Sequence, residues 1–185
     1  MELSQEKTLI LFKADCISRG LVGECIKRFE EHGFKIRGLK MMHATEDHMR
    51  KHYGGGEEWV RNLGQRTLED LARYGKDPMQ EFGSVDTLVI GNAVLEWLIS
   101  YVISTPLIAM VVSGPNAAEM GRKIVGNTIP QKADVGSIRG DYSIDSPMLA
   151  TLEKRAITNL IHASGNKEEA EMEVTHWFKD EELCS

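Results

Sequence analysis

A chain of 185 residues has room for one domain with a sizeable core. Its 42% hydrophobic and 27% charged residues are ordinary for a globular protein, and a net charge of −6 argues against broad electrostatic binding of nucleic acid while allowing a small, local basic pocket. The longest clear apolar run, Pro106–Val112, is far below the roughly 20 residues that cross a bilayer, the start M-E-L-S-Q-E-K carries no apolar signal segment, and three cysteines without C-x-x-C spacing suggest neither a disulfide framework nor a thiolate zinc site. No membrane association and a cytoplasmic location are expected. In chain order, Thr8–Phe12 reads as a buried strand and K-A-D-C-I-S-R-G as a polar turn. Leu21, Val22, Cys25, Ile26 and Phe29 fall on one face of a helix that Gly33 ends. F-K-I-R-G-L-K-M-M forms a second strand. Thr45 N-caps a helix through His52-Tyr53, with acids in its first turn, that stops at Gly54–Gly56.

Beyond it, Trp59, Leu63, Leu68 and Leu71 are spaced roughly helically, and G-K-D-P-M-Q-E-F-G-S reads as a loop. A-V-L-E-W-L-I-S-Y-V-I-S is a helix leading into a strand at Pro106. A-A-E-M-G-R-K-I-V-G is again helical, and the segment to Asp145 is irregular. N-L-I-H-A makes the last strand and K-E-E-A-E-M-E-V-T-H-W-F the last helix. Alternating strands and helices of this kind predict an α/β or α+β sandwich, with helices packed on one sheet.

The phosphate-cradling G-x-x-x-x-G-K-[ST] and the dinucleotide G-x-G-x-x-G are both absent. His48 and His52, one helical turn apart, and His43 could belong to a metal module, but no nearby carboxylate or cysteine completes the set. What remains is scattered: Lys13, Tyr53, Arg122, Thr128, Arg139, Asn159 and His162, each at an element end or in a loop, where functional side chains usually project. Arginine forks match phosphate oxygens and lysine supplies a point charge. A neutral imidazole can act as a nucleophile near neutrality, and a carboxylate on its far nitrogen would fix the tautomer. Glu173, eleven residues after His162, is the acid that a strand-to-helix reversal could bring there. On residue types alone, the commoner reading of a lone histidine such as His162 is a half-buried, satisfied side chain.

These residues come in a familiar order. K-A-D with R-G-L-V-G-E, R-F-E-E-H-G-F-K, H-Y, S-T-P-L-I-A-M-V-V, G-R-K-I-V-G-N-T-I-P, G-S-I-R-G-D-Y, N-L-I-H-A-S and W-F-K-D-E-E-L together resemble the nucleoside diphosphate kinases over nearly the whole chain. The resemblance implies an α+β fold, a ferredoxin-like βαββαβ sandwich with an antiparallel sheet. It implies ping-pong transfer of the γ-phosphate from a nucleoside triphosphate such as ATP to a diphosphate such as GDP, with His162 phosphorylated on Nδ1. Glu173 would hold the other side of the ring, with Ser164 ordering that carboxylate. Lys13, Tyr53, Arg122, Thr128 and Arg139 would bind phosphates, Asn159 with Lys13 the ribose, and Val94 and Leu98 would complete the nucleotide site. Mg²⁺ would arrive on the nucleotide's phosphates, without direct protein ligands. A homo-oligomer, tetramer or hexamer, is implied as well.

The chain departs from the family pattern in four places. Lys13-Ala14-Asp15-Cys16 lacks the usual proline, Gly165 stands for the aspartate after H-x-S, and Val94, flanked by Leu95, replaces the base-stacking phenylalanine. In the long loop Pro130 is retained, but Val135 takes the place of a second proline. Insertions at about 54–91 and about 146–156 are expected within a single domain spanning 1–185. They read either as a lid or subunit contact, or as peripheral helical packing; Arg61, Arg66 and Arg73 are not assigned to the site. The alternative function is a catalytically inactive nucleotide-binding or regulatory protein of the same fold.

Overall fold

The structure, a computed structural model, describes residues 6–185. The first five residues, on which part of the expected polar start rests, lie outside the described residues. The chain divides into two compact units, one built from residues up to Ala44, Thr105–Ile144 and Asn159–Ser185, the other from Thr45–Ser104 and Asp145–Thr158.

The first unit holds a four-stranded sheet: β1 (Lys7–Phe12), β2 (Lys35–Met42), β3 (Leu107–Ser113) and β4 (Ile161–Ala163), in the order β2-β3-β1-β4. Every pairing is antiparallel. Two crossover helices, α2 (Val22–Glu31) after β1 and α7 (Ala117–Val125) after β3, complete the expected βαββαβ order. The α+β, ferredoxin-like reading therefore holds. Central β1 is buried along Thr8–Phe12, so its sequence shows no polar alternation. Ile10 and Phe12 meet Met110 and Val112 of β3, Cys25 and Phe29 of α2, and Ile124 and Val125 of α7 in one cluster. Each large side chain fully buried there contributes about 1.5–3 kcal/mol.

Four stretches differ from the sequence expectation. The polar turn after β1 is a short helix, α1 (Ala14–Ser18). In the second unit, the helix through His52 is α3 (Glu46–His52), N-capped by Thr45 as expected, and α4 runs Gly56–Arg73. The loop that follows contains α5 (Pro78–Phe82), which Asp77 caps with proline at its start. Asp86 likewise caps α6 (Thr87–Ile103), which begins well before the apolar run that announced it. Back in the first unit, the irregular segment before Asp145 includes a 3₁₀ turn at Pro130–Lys132 and α8 (Ile138–Tyr142). Caps and turn residues, each a local signal, set these short pieces where periodicity is too brief to read.

Helices α4 and α6 approach backbone to backbone. A Cβ added at Gly64 would lie 1.9 Å from the Thr87 carbonyl oxygen, and one added at Gly91 would lie 2.0 Å from that of Val60. Each glycine thus opens space for the other helix. Residues 145–158 of this unit carry α9 (Pro147–Leu152) and are closed by Asp145. Its carboxylate accepts from Arg155 at 2.5 and 3.0 Å and from the Thr158 N–H at 2.7 Å. Burial alone would push that carboxyl up, but Arg155, Thr158 and the Ser146 N–H outweigh it and hold it at about 2.

Candidate functional site

Strand β4 is only three residues long, and its alternation decides which way His162 faces. Ile161 and Ala163 enter the core cluster, so His162 between them points to the other side of the strand. It sits opposite Leu11 of β1. The chain then reverses through Ser164–Asn166 into α10 (Lys167–Trp177), whose start Asn166 caps by accepting from the Glu169 N–H. Glu169 reaches back to accept from the Gly165 N–H at 2.9 Å, so the turn that lacks the family's aspartate has an acid of its own.

One and a half turns into α10, Glu173 comes back beside the ring. Its two oxygens lie 3.1 and 3.0 Å from His162 Nε2. The Ser164 hydroxyl donates to Glu173 Oε2 at 2.6 Å and accepts from the Leu9 N–H at 3.2 Å, which ties the carboxylate to the central strand. With the carboxylate accepting, the imidazole proton resides on Nε2, and the ring lone pair is on Nδ1. The expected His162–Glu173–Ser164 grouping is therefore present.

A second grouping centres on Asn159, buried three residues before His162. Its side-chain oxygen accepts from Lys13 Nζ at 2.6 Å, and its amide donates to the Thr128 carbonyl at 2.8 Å. Arg139, also buried, donates from Nε to the Asn159 carbonyl at 3.2 Å, from Nη1 to Gly126 at 2.9 Å and from Nη2 to Ile161 at 2.5 Å. Lys13, Thr128, Arg139 and Asn159, four residues from four distant parts of the sequence, are joined in one network. Burial pushes Lys13 down to about 7, the Arg139 charge adds to that, and Asp15 opposes it.

Arg122, exposed on α7, stands apart from that network. It lines a cavity of about 510 Å³ with Asn116, Gly165, Asn166 and Lys167. Tyr53, Val94 and Leu98 belong to the second unit. There Tyr53, at the end of α3, stacks on Trp59 with ring centroids 6.0 Å apart, while Val94 and Leu98 lie half-buried one turn apart on α6. No third His, Cys or acid of that unit forms a metal set with His48 and His52 among the described residues. Two residues left unassigned from sequence prove to be engaged at the site: Glu169, and Asp15, which accepts from the Leu160 N–H at 2.9 Å. The acid in K-A-D, two residues after the cation, was the signal for the latter.

A carboxylate-backed imidazole beside a buried cationic cluster, on an antiparallel four-stranded sheet with crossover helices, is the equipment of a phosphotransferase that works through histidine. The nucleoside diphosphate kinase family model matches residues 6–60 and 90–183. A nucleoside diphosphate kinase of Pyrobaculum aerophilum is 46% identical over 178 residues, covering 96% of this chain and 97% of that protein. The crystal structure of an NDP kinase from Pyrobaculum aerophilum superposes with a TM-score of 0.95 at 43% identity, covering 98% of this chain and all of that one. A Borrelia burgdorferi nucleoside-diphosphate kinase, solved as a transition-state mimic with bound vanadate and ADP, gives 0.78 at 32% identity over 100% of this chain and 93% of that chain. The chain belongs to the nucleoside diphosphate kinase family.

Proposed function

We propose that this chain is an active nucleoside diphosphate kinase that exchanges the terminal phosphate between nucleoside triphosphates and diphosphates through a phosphohistidine on His162. In the first half-reaction the Nδ1 lone pair attacks the γ-phosphorus. The bond to the β–γ bridging oxygen breaks, and the diphosphate leaves with that electron pair. The second half-reaction reverses the roles: a β-phosphate oxygen of another diphosphate attacks, and the N–P bond returns its pair to Nδ1. The imidazole proton stays on Nε2 throughout, held by Glu173, and Glu173 in turn is held by Ser164. The observation that carries the reading is this contact of Glu173 with Nε2, which directs the nucleophilic nitrogen away from the acid.

Lys13, Arg139 and Thr128 are assigned to the phosphates, with Arg122 and Tyr53, and Asn159 to the ribose. Val94 and Leu98 take the place of a base clamp by their family position, where aliphatic packing substitutes only in part for stacking. Mg²⁺ suits this donor set as a passenger on the nucleotide: amines, guanidinium groups and an amide bind phosphate oxygens, and Glu173 is already committed to His162 and Ser164. When bound, the ion neutralises charge on the phosphates. The rate then comes from cations fixed in advance around the moving group.

No helix among the described residues is long and apolar enough to cross a membrane. A cytoplasmic location and a homo-oligomer of four or six chains form part of the proposal; sedimentation would count the chains. So does the single-domain organisation with insertions at about 54–91 and about 146–156; the lapse of the family match between residues 60 and 90 supports the first of these insertions.

ATP labelled on its γ-phosphate tests the central claim. The protein should become labelled in an acid-labile, base-stable form that GDP discharges, and His162→Ala should still bind ADP but take no label. Labelling of His162→Ala at the normal rate would place the phosphate on another residue. A wild-type protein that binds ADP and stays unlabelled would be the inactive regulatory alternative.

A further inference from the structure

Two residues before His162 the backbone does something unusual. Leu160 has φ +66°, the left-handed region that non-glycine residues avoid, and it is completely buried. The Ile161 N–H donates to the Asn159 carbonyl at 2.7 Å, across a single residue. Together these define a tight γ-turn of the strained kind. Such a conformation persists only where the surroundings over-determine it.

The surroundings here come from one end of β1. The turn's own hydrogen bond uses the Asn159 carbonyl and the Ile161 N–H, which leaves the N–H and carbonyl of Leu160 to be satisfied elsewhere. Its carbonyl accepts from the Lys13 N–H at 2.8 Å. Its N–H donates to Asp15 Oδ2 at 2.9 Å. A buried N–H without an acceptor is costly, so the carboxylate is needed for the turn to stand. On the other side, Arg139 donates to the carbonyls of Asn159 and Ile161. The turn then delivers the chain into β4, a strand whose three pairs with β1 give it little register of its own. Because strand side chains alternate, an error of one residue at this entry would face His162 into the core.

We propose that Asp15 is a positioning residue for phosphoryl transfer, its carboxylate holding the Leu160 turn that aims His162. This rests on His162 being the nucleophile. Asp15 also faces Lys13 and favours its charged form, so the test must separate hydrogen-bond acceptance from charge. Asp15→Asn keeps an acceptor at the same reach and loses the charge, whereas Asp15→Glu keeps the charge and displaces the acceptor by one methylene.

The measurement is the single-turnover rate of His162 phosphorylation at saturating labelled ATP, with ADP affinity measured beside it. Asp15→Ala should slow phosphorylation by about 30- to 100-fold while ADP affinity stays within about threefold. Asp15→Asn should stay within about fivefold of wild type, and Asp15→Glu should be slower than Asp15→Asn. Amide exchange at Leu160 should quicken in step with the loss of rate. The proposal is overturned if Asp15→Ala reacts at the wild-type rate, or if Asp15→Glu outperforms Asp15→Asn, which would make the charge beside Lys13 the effect. Should Asp15→Ala fail to fold, the order of the Asn and Glu variants still decides. A wild-type protein that takes no label sinks the nucleophile reading itself, a different result from any of these.

Discussion

In the proposed mechanism, two side chains set the chemistry at the scale of single residues. Glu173 fixes which ring nitrogen carries the proton, so replacing it by glutamine should slow phosphoprotein formation on the order of 100-fold while leaving ADP binding nearly unchanged. Rapid-quench labelling measures it, and an unimpaired rate would remove Glu173 from the mechanism. Lys13 gives a pH signature. Its ammonium is pushed down to about 7 in the empty protein, from an ordinary 10.5. Between those values the unfolded chain binds the extra proton, so this group's contribution to stability rises with pH across that window. A phosphate beside Lys13 favours the charged form. Nucleotide affinity should therefore be full below pH 7 and decline as pH rises above it, with proton uptake on binding in that upper range. Calorimetry of ADP binding in buffers of different ionisation enthalpy reads the proton directly. Binding that takes up no proton at pH 8 would contradict the assignment of Lys13 to the phosphates.

Glycine spacing matters most at the scale of elements. Gly64 and Gly91 sit in helix interiors, where glycine costs about 1 kcal/mol relative to alanine, yet each lies against a carbonyl of the facing helix. Gly64→Ala or Gly91→Ala should destabilise by about 1–3 kcal/mol through overpacking, and lower the melting temperature by roughly 2–10 °C. Gly23, in α2 with open space around its missing Cβ, is the control. Its replacement by alanine should be neutral or stabilising, by up to about 1 kcal/mol. Equal effects at Gly23 and Gly64 in a thermal melt would mean that α4 and α6 do not meet as described.

Across the whole molecule, the sequence was most legible where signals are long or local. The strand at Thr8–Phe12, the Thr45 cap and the strand–turn–helix carrying His162 and Glu173 could all be read directly. Residue order and motif spacing then carried the fold. What could not be read depends on contacts between distant segments. Arg139 looks like any loop arginine until Gly126, Asn159 and Ile161 present their carbonyls to it. Gly64 and Gly91 look like weak points in two helices rather than a place of close approach. Asp15 stood in plain view inside K-A-D, but its partner is a main-chain N–H 145 residues away. No side-chain pattern encodes a strained φ at a leucine.

The buried pairing of Lys13 with Arg139 has a consequence for the protein between turnovers. Burial first, and the Arg139 charge after it, make a charged Lys13 costly there, and the rest of the fold carries that cost. On the proposed assignment of Lys13 and Arg139 to the phosphates, an incoming polyanion relieves that cost, so substrate completes the protein's electrostatics as well as its reaction. The resting enzyme is in this sense tuned for its ligand at the expense of its own robustness, a compromise written into the cradle before any nucleotide arrives.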